Sequence, residues 1–110
     1  MTADEFRNLA LDLPGAVEDA HMGHPDFRVH GKIFATLGPN ADWAMVKLTQ
    51  DDQRAMIDAE PQVFAPVNGA WGARGATRVL LSAATGAAVR PALIAAWRAI
   101  VPARPGRKAR

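Results

Sequence analysis

The sequence predicts an α+β domain, an antiparallel sheet with a helix at each end of the chain. Apolar residues recur at helical spacing near both termini, and between them lie short apolar runs separated by turn residues at hairpin spacing. The resulting order is helix, antiparallel strands, short helix, further strand and closing helix, without an internal repeat. A chain of 110 residues, nearly half of them apolar, has room for one core and not for two. A single domain is therefore expected over residues 1–101, followed by a basic, flexible tail over residues 102–110.

The first helix is announced by Thr2 with Glu5 three residues later, a capping box. Phe6, Leu9, Ala10 and Leu13 then give it an apolar stripe, and Pro14-Gly15 ends it. Residues 26–37 contain Gly31-Lys32, a two-residue turn with glycine first, as a type II′ hairpin requires. That turn pairs Val29 with Phe34, sets Phe27, Val29 and Phe34 on one face, and leaves Arg28 and His30 with Ile33 and Ala35 on the other, where Arg28 lines a groove. The apolar run 33–37 marks an interior strand.

A turn-rich loop over residues 38–42 leads into Trp43-Ala44-Met45-Val46-Lys47-Leu48, a third strand of the meander. Thr49 with Asp52 forms a second capping box, and Asp51 and Asp52 sit where the positive end of a helix dipole favours them. This short helix runs to about Glu60. Pro61 and Pro66 bracket an extended piece, residues 68–75 form a flexible glycine-rich loop, and Thr77-Arg78-Val79-Leu80-Leu81 is a further strand. Pro91 is tolerated in a helix only within the first turn, so the closing helix starts at Ala87 or Ala88. It buries Leu93, Trp97 and Ile100 and stops at Pro102.

Charge is unevenly distributed along this chain. All eleven carboxylates lie at or before Glu60, giving residues 1–60 a balance of −6, while residues 61–110 carry +8. Such a split indicates either an anionic partner or two halves that attract each other within one domain. Four of the late cations, Arg104, Arg107, Lys108 and Arg110, belong to the tail, and without them the folded body carries −2. The absence of cysteine excludes disulfides and thiolate metal sites and suits a reducing compartment. The acidic N-terminal residues resemble no targeting signal, so a cytoplasmic protein without a membrane partner is expected.

The first helix ending in Leu13-Pro14-Gly15, the hairpin Phe27-Arg28-Val29-His30-Gly31-Lys32-Ile33-Phe34-Ala35, the segment Val67-Asn68-Gly69-Ala70-Trp71-Gly72 and Thr77-Arg78-Val79 together resemble the MmcQ/YjbR family over about residues 4–101. The resemblance implies a frataxin-like (CyaY-like) fold, in which N- and C-terminal helices pack on one face of the sheet, and a double-wing surface that binds DNA. Ala76 departs from the family pattern, where a second aromatic often precedes the Thr-Arg-Val strand. In such a surface Lys32 would touch a phosphate, Arg74 and Arg78 would flank the groove with Lys47 nearby, and Trp71 would stack or wedge. The plainer readings are a solubilising lysine at a hairpin tip and a tryptophan that anchors a glycine loop to the core.

Other chemistry finds less support in the residues. His21, His24 and His30, with Glu18, Asp19 and Asp26 nearby, converge on a metal only if a tight turn forms at Gly23, and the first helix offers too few acids to gather a hard cation. Ser82, the one serine, lacks a nucleophile elbow, and the Gly69, Gly72, Gly75 spacing is followed by no Lys-Ser/Thr of a phosphate loop. A pairing of His24 with Glu18 or Asp26 is the remaining acid–base arrangement. The expectation is a non-enzymatic binding domain, monomer or weak homodimer, without cofactor or metal. DNA is its first partner class, and a protein or small molecule held near Trp71 is the alternative.

Overall fold

A computed structural model describes residues 1–21, 23–38, 40 and 42–101, with the backbone alone considered at His21. The chain order is α1 (Ala3–Leu11), β1 (Val17–His21), β2 (His24–Val29), β3 (Lys32–Leu37), β4 (Trp43–Lys47), α2 (Gln50–Ala59), β5 (Phe64–Pro66), α3 (Ala70–Ala73), β6 (Ala76–Leu80), a 3₁₀ turn (Leu81–Ala83) and α4 (Gly86–Ile100). The strands form one antiparallel sheet in the order β1-β2-β3-β4-β6-β5. The α+β expectation holds. The tail, residues 102–110, lies outside the described residues.

Helix starts follow their caps. Thr2 and Glu5 exchange both bonds of the capping box, whereas at α2 the Thr49 hydroxyl accepts from the Asp52 N–H. Phe6 and Ala10 of α1, with Val89, Ala92, Leu93 and Ala96 of α4, pack on the sheet face that presents Phe27, Ala35, Leu37, Ala44, Val46 and Val79. Phe6 and Phe27 meet with ring centroids 6.1 Å apart and planes tilted by 59°, a favoured aromatic arrangement. Trp97 donates its indole N–H to Pro14 O at 2.8 Å, which ties the closing helix to the end of the first.

Four expectations need correction. The two-residue turn between β2 and β3 is His30-Gly31, not Gly31-Lys32, and both residues have positive φ, 52° and 77°, as a type I′ turn requires. Histidine tolerates this region better than most side chains, so the turn forms one residue earlier and Val29 pairs with Lys32. A bulge at Phe27/Arg28 then restores the pattern, and Phe34 and Ala35 are both buried although adjacent in sequence. Strand β1 was not expected, because Val-Glu-Asp-Ala-His has one large apolar residue and no alternation; as an edge strand it needs little more.

The glycine-rich stretch before β6 holds the ordered turn α3 in place of a flexible loop. Helix α4 begins at Gly86, because the Thr85 hydroxyl caps the Ala88 N–H, and Pro91 falls in its second turn. The ring deprives Ala87 O of its helical partner, but both residues are exposed there, which leaves the carbonyl open to solvent. Pro91→Ala is expected to stabilise the protein by about 2 kcal/mol, the cost of an interior proline less its entropic benefit to the unfolded chain; the check is a higher urea midpoint with an unchanged slope.

Candidate functional site

Residue pairing sorts the sheet's side chains into two faces. Opposite the helices lie Trp43, Met45 and Lys47 of β4, which face Leu80, Arg78 and Ala76 of β6 across the ladder. Further along the same face, Arg28 and Asp26 of β2 stand beside Ile33 and Thr36 of β3 and beside Val17 and Asp19 of β1. Among the described residues no helix covers this face. Val17, Trp43 and Leu80 are left as exposed large hydrophobic side chains on it.

The turn α3 closes one end of the face, and its position follows from two glycines and two glutamines. A Cβ at Gly72 would fall 1.6 Å from Val67 O, and one at Gly75, whose φ is 120°, would fall 1.9 Å from Leu48 O. Only glycine permits so close an approach. From α2, Gln53 donates to Gly72 O and Ala76 O at 2.9 and 3.1 Å, and Gln50 donates to Ala73 O at 2.8 Å. These bonds anchor the turn and leave Trp71 out of the core, 65% exposed. Trp71 and Arg74 line a cleft of about 180 Å³ with Lys47, Leu48 and Ala76.

The structure thus brings Trp71 and Arg74 together with Lys47, and sets Arg78 on the same sheet face two residue pairs along the ladder. The Arg78 guanidinium lies over Trp43, 5.7 Å from the ring centroid. Lys32 is not part of this group. Its pairing with Val29 places it at the same end of the sheet but on the helix-covered side, a consequence of the earlier turn. Trp43 was missed as a site residue. An alternating strand identifies which residues share a face, but not which face the helices will cover, and Gly38 opposite it was the available signal: a Cβ there would stand 2.7 Å from the indole.

Electrostatics separates the cations into two sets. Arg7 pairs with Asp4 and Glu18, Arg54 with Asp51, and Arg28 with Asp26 and, at 3.8 Å, Asp19. Arg28 grips the buried Asp26 through two bonds of 2.9 and 3.1 Å, and this hydrogen bonding raises its pKa further above the usual arginine value against the opposing effect of burial. Arg28 is therefore a structural cation and not a free groove residue. Every one of these pairs joins residues of the acidic half. Among the described residues, no carboxylate lies in salt-bridge range of Lys47, Arg74, Arg78, Arg90 or Arg98, so the two halves form no salt bridge with each other there.

The histidines do not converge. The tight turn at Gly23 forms and pairs His21 with His24, but His30 sits at the other end of β2. Among the described residues no group of three His, Cys, Asp or Glu could hold a metal. The acid–base partners considered for His24 are engaged elsewhere, Glu18 by Arg7 and Asp26 by Arg28. Ser82 is exposed in the 3₁₀ turn. No helix is long and apolar enough to cross a membrane among the described residues.

A family model described as YjbR matches residues 11–99 of the chain. The crystal structure of the Deinococcus radiodurans protein DR2400, described as a DUF419 domain, is similar with a TM-score of 0.74 at 17% identity, over 93% of this chain and 80% of that one. The two share a fold. No curated protein matches the chain.

Two substitutions test the site's scaffold. Gly72→Ala should cost about 2 kcal/mol, the usual penalty for overpacking, seen as a lower melting temperature. Arg28→Ala should lower the urea midpoint because Asp26 is left buried and unpaired, and adding Asp26→Asn should recover part of that loss.

Proposed function

Given that this chain belongs to the YjbR family, we propose that it is a non-enzymatic binding domain for nucleic acid, DNA in the first instance. Its contact surface is the end of the open sheet face where Trp71, Arg74, Lys47 and Arg78 meet. One observation carries the reading: an exposed indole stands among cations that have no carboxylate partner among the described residues. Unpaired lysine and arginine gain free energy by displacing the counterions of a phosphate backbone, and an exposed aromatic ring gains by stacking on bases. Lys32, on the other side of the same sheet end, adds to the attracting field and not to the stacking surface.

The cleft at Trp71 is small for an ordinary small-molecule site. Its volume of about 180 Å³ is below the roughly 300–1,000 Å³ of ordinary ligand pockets. A protein partner remains the second reading, favoured by the exposed Val17, Trp43 and Leu80 on the same face.

Salt separates the two. DNA affinity of the full chain should fall linearly on a log–log plot against salt, and Arg74→Ala with Arg78→Ala should reduce that slope by about 2. The chain ending at Val101 should keep binding. Absence of binding at low salt, or loss only on truncation, would sink the proposal, and an affinity that persists at high salt and depends on Trp71 would point to a protein partner.

A further inference from the structure

We infer that the nucleic acid is taken as a single strand laid along the β4–β6 ladder, with Trp71 as the stacking surface at one end and Arg78, held by Trp43 from the other, as a pre-set phosphate donor. The inference rests on the nucleic-acid reading and narrows it. The ladder runs from the Trp43–Leu80 pair to the Lys47–Ala76 pair, a length of about 13 Å at the ordinary rise of a strand. Trp71 borders Lys47 and Ala76 at one end, and Trp43 stands at the other.

The relief between these ends is low. Met45 and Ala76 are buried, and the outward neighbour of Arg78 on β5 is only Ala65. A duplex is read by an element that enters a groove, and its bases are stacked internally, so an indole exposed at the end of a sheet face has no free base to stack on. Unpaired bases offer free π-faces, which aromatic side chains on a sheet bind without regard to sequence.

Arg78 fits the phosphate role for two reasons. Its guanidinium is oriented by the Trp43 ring, which reduces the rotamer freedom lost on binding, and no carboxylate competes for its donors among the described residues. The lateral limit of the track is also visible. On β1 and β2 the same face carries Asp19, Asp26 and Arg28, a set with one excess negative charge, which repels a phosphate chain and confines it to β4 and β6. Trp43 is in this account a positioning residue for Arg78, and Trp71 is the stacking surface.

The test measures binding of the full chain to a labelled thymidine oligonucleotide of roughly a dozen residues and to a duplex of equal length, by fluorescence anisotropy at about 50 and 200 mM salt. The single strand should bind at least about tenfold more tightly than the duplex. Trp71→Ala and Trp43→Ala should each weaken single-strand binding about tenfold, and Trp43→Phe should recover most of the loss at that position while showing that the fold is kept. Trp71→Ala and Trp43→Phe should leave the salt slope unchanged, whereas Arg78→Ala should lower it by about 1. Equal or tighter duplex binding, or single-strand binding indifferent to Trp43 and Trp71, overturns the inference while leaving the nucleic-acid reading standing. Failure to bind either form at low salt overturns both.

Discussion

Two helices, α1 and α4, cover one face of a six-stranded sheet. That constraint organises the molecule. Phe6 and Ala10 from α1 meet Val89, Ala92, Leu93 and Ala96 from α4 over the inner residues of β2, β3, β4 and β6, and this layer holds the core. A strand in such a sheet alternates between helix side and water side, so each inward Ala44 or Val46 commits a neighbouring Trp43, Met45 or Lys47 to the uncovered side. What the outer face displays is therefore the necessary counterpart of the packing that holds the fold. Its composition is a choice, however, and here that choice includes an exposed tryptophan, Leu80 and two cations without a carboxylate partner among the described residues, in place of a uniformly polar surface.

The position of α3 depends on the same economy. A turn of four residues cannot bury enough to hold itself in place, and this one has no side-chain cap. It is fixed from outside, by carbonyls that accept from Gln50 and Gln53 and by the contact of Gly72 with the Val67 carbonyl. Since the backbone supplies the anchoring, the Trp71 ring is free to face solvent. The same ring in an unsupported loop would have had to fold onto the core to order its segment, which is the arrangement a tryptophan between glycines suggests. Ala76 contributes too: being small and directly beneath, it leaves open the cleft that a bulkier side chain in β6 would fill.

Much of this was legible from residue order. Thr2 and Thr49 declare their helices because a hydroxyl three residues ahead of an N–H is a local geometry, independent of the rest of the fold. Local chemistry also misled where two solutions were close in energy. Gly31 fits either hairpin turn, and the choice fell to the ability of His30 to take a positive φ, which shifted the register and moved Lys32 across the sheet. Strand β1 was illegible because its stability comes from pairing with β2 and not from its own side chains. Trp43 was visible as a strand residue, but its exposure depends on which side α1 and α4 occupy, and that is decided by contacts distant in sequence. Gln50 and Gln53 looked like ordinary surface of an amphipathic helix.

The charge split is where sequence and structure bear on each other most. A chain with acids early and bases late could close on itself, each half neutralising the other. Instead the arginines of the acidic half pair within it: Arg7, Arg28 and Arg54 take up five of its eleven carboxylates, and the buried Asp26 absorbs the best placed of these arginines. An arginine two residues from a buried aspartate on one strand face has its partner supplied by the strand itself, so no cation from β6 is drawn across the sheet. Arg74 and Arg78 stand beside the two exposed indoles with no carboxylate in salt-bridge range among the described residues. The field that a polyanion would meet on this face thus follows from pairing within residues 1–60, and two residues of the later half, neither prominent in the total charge, inherit it.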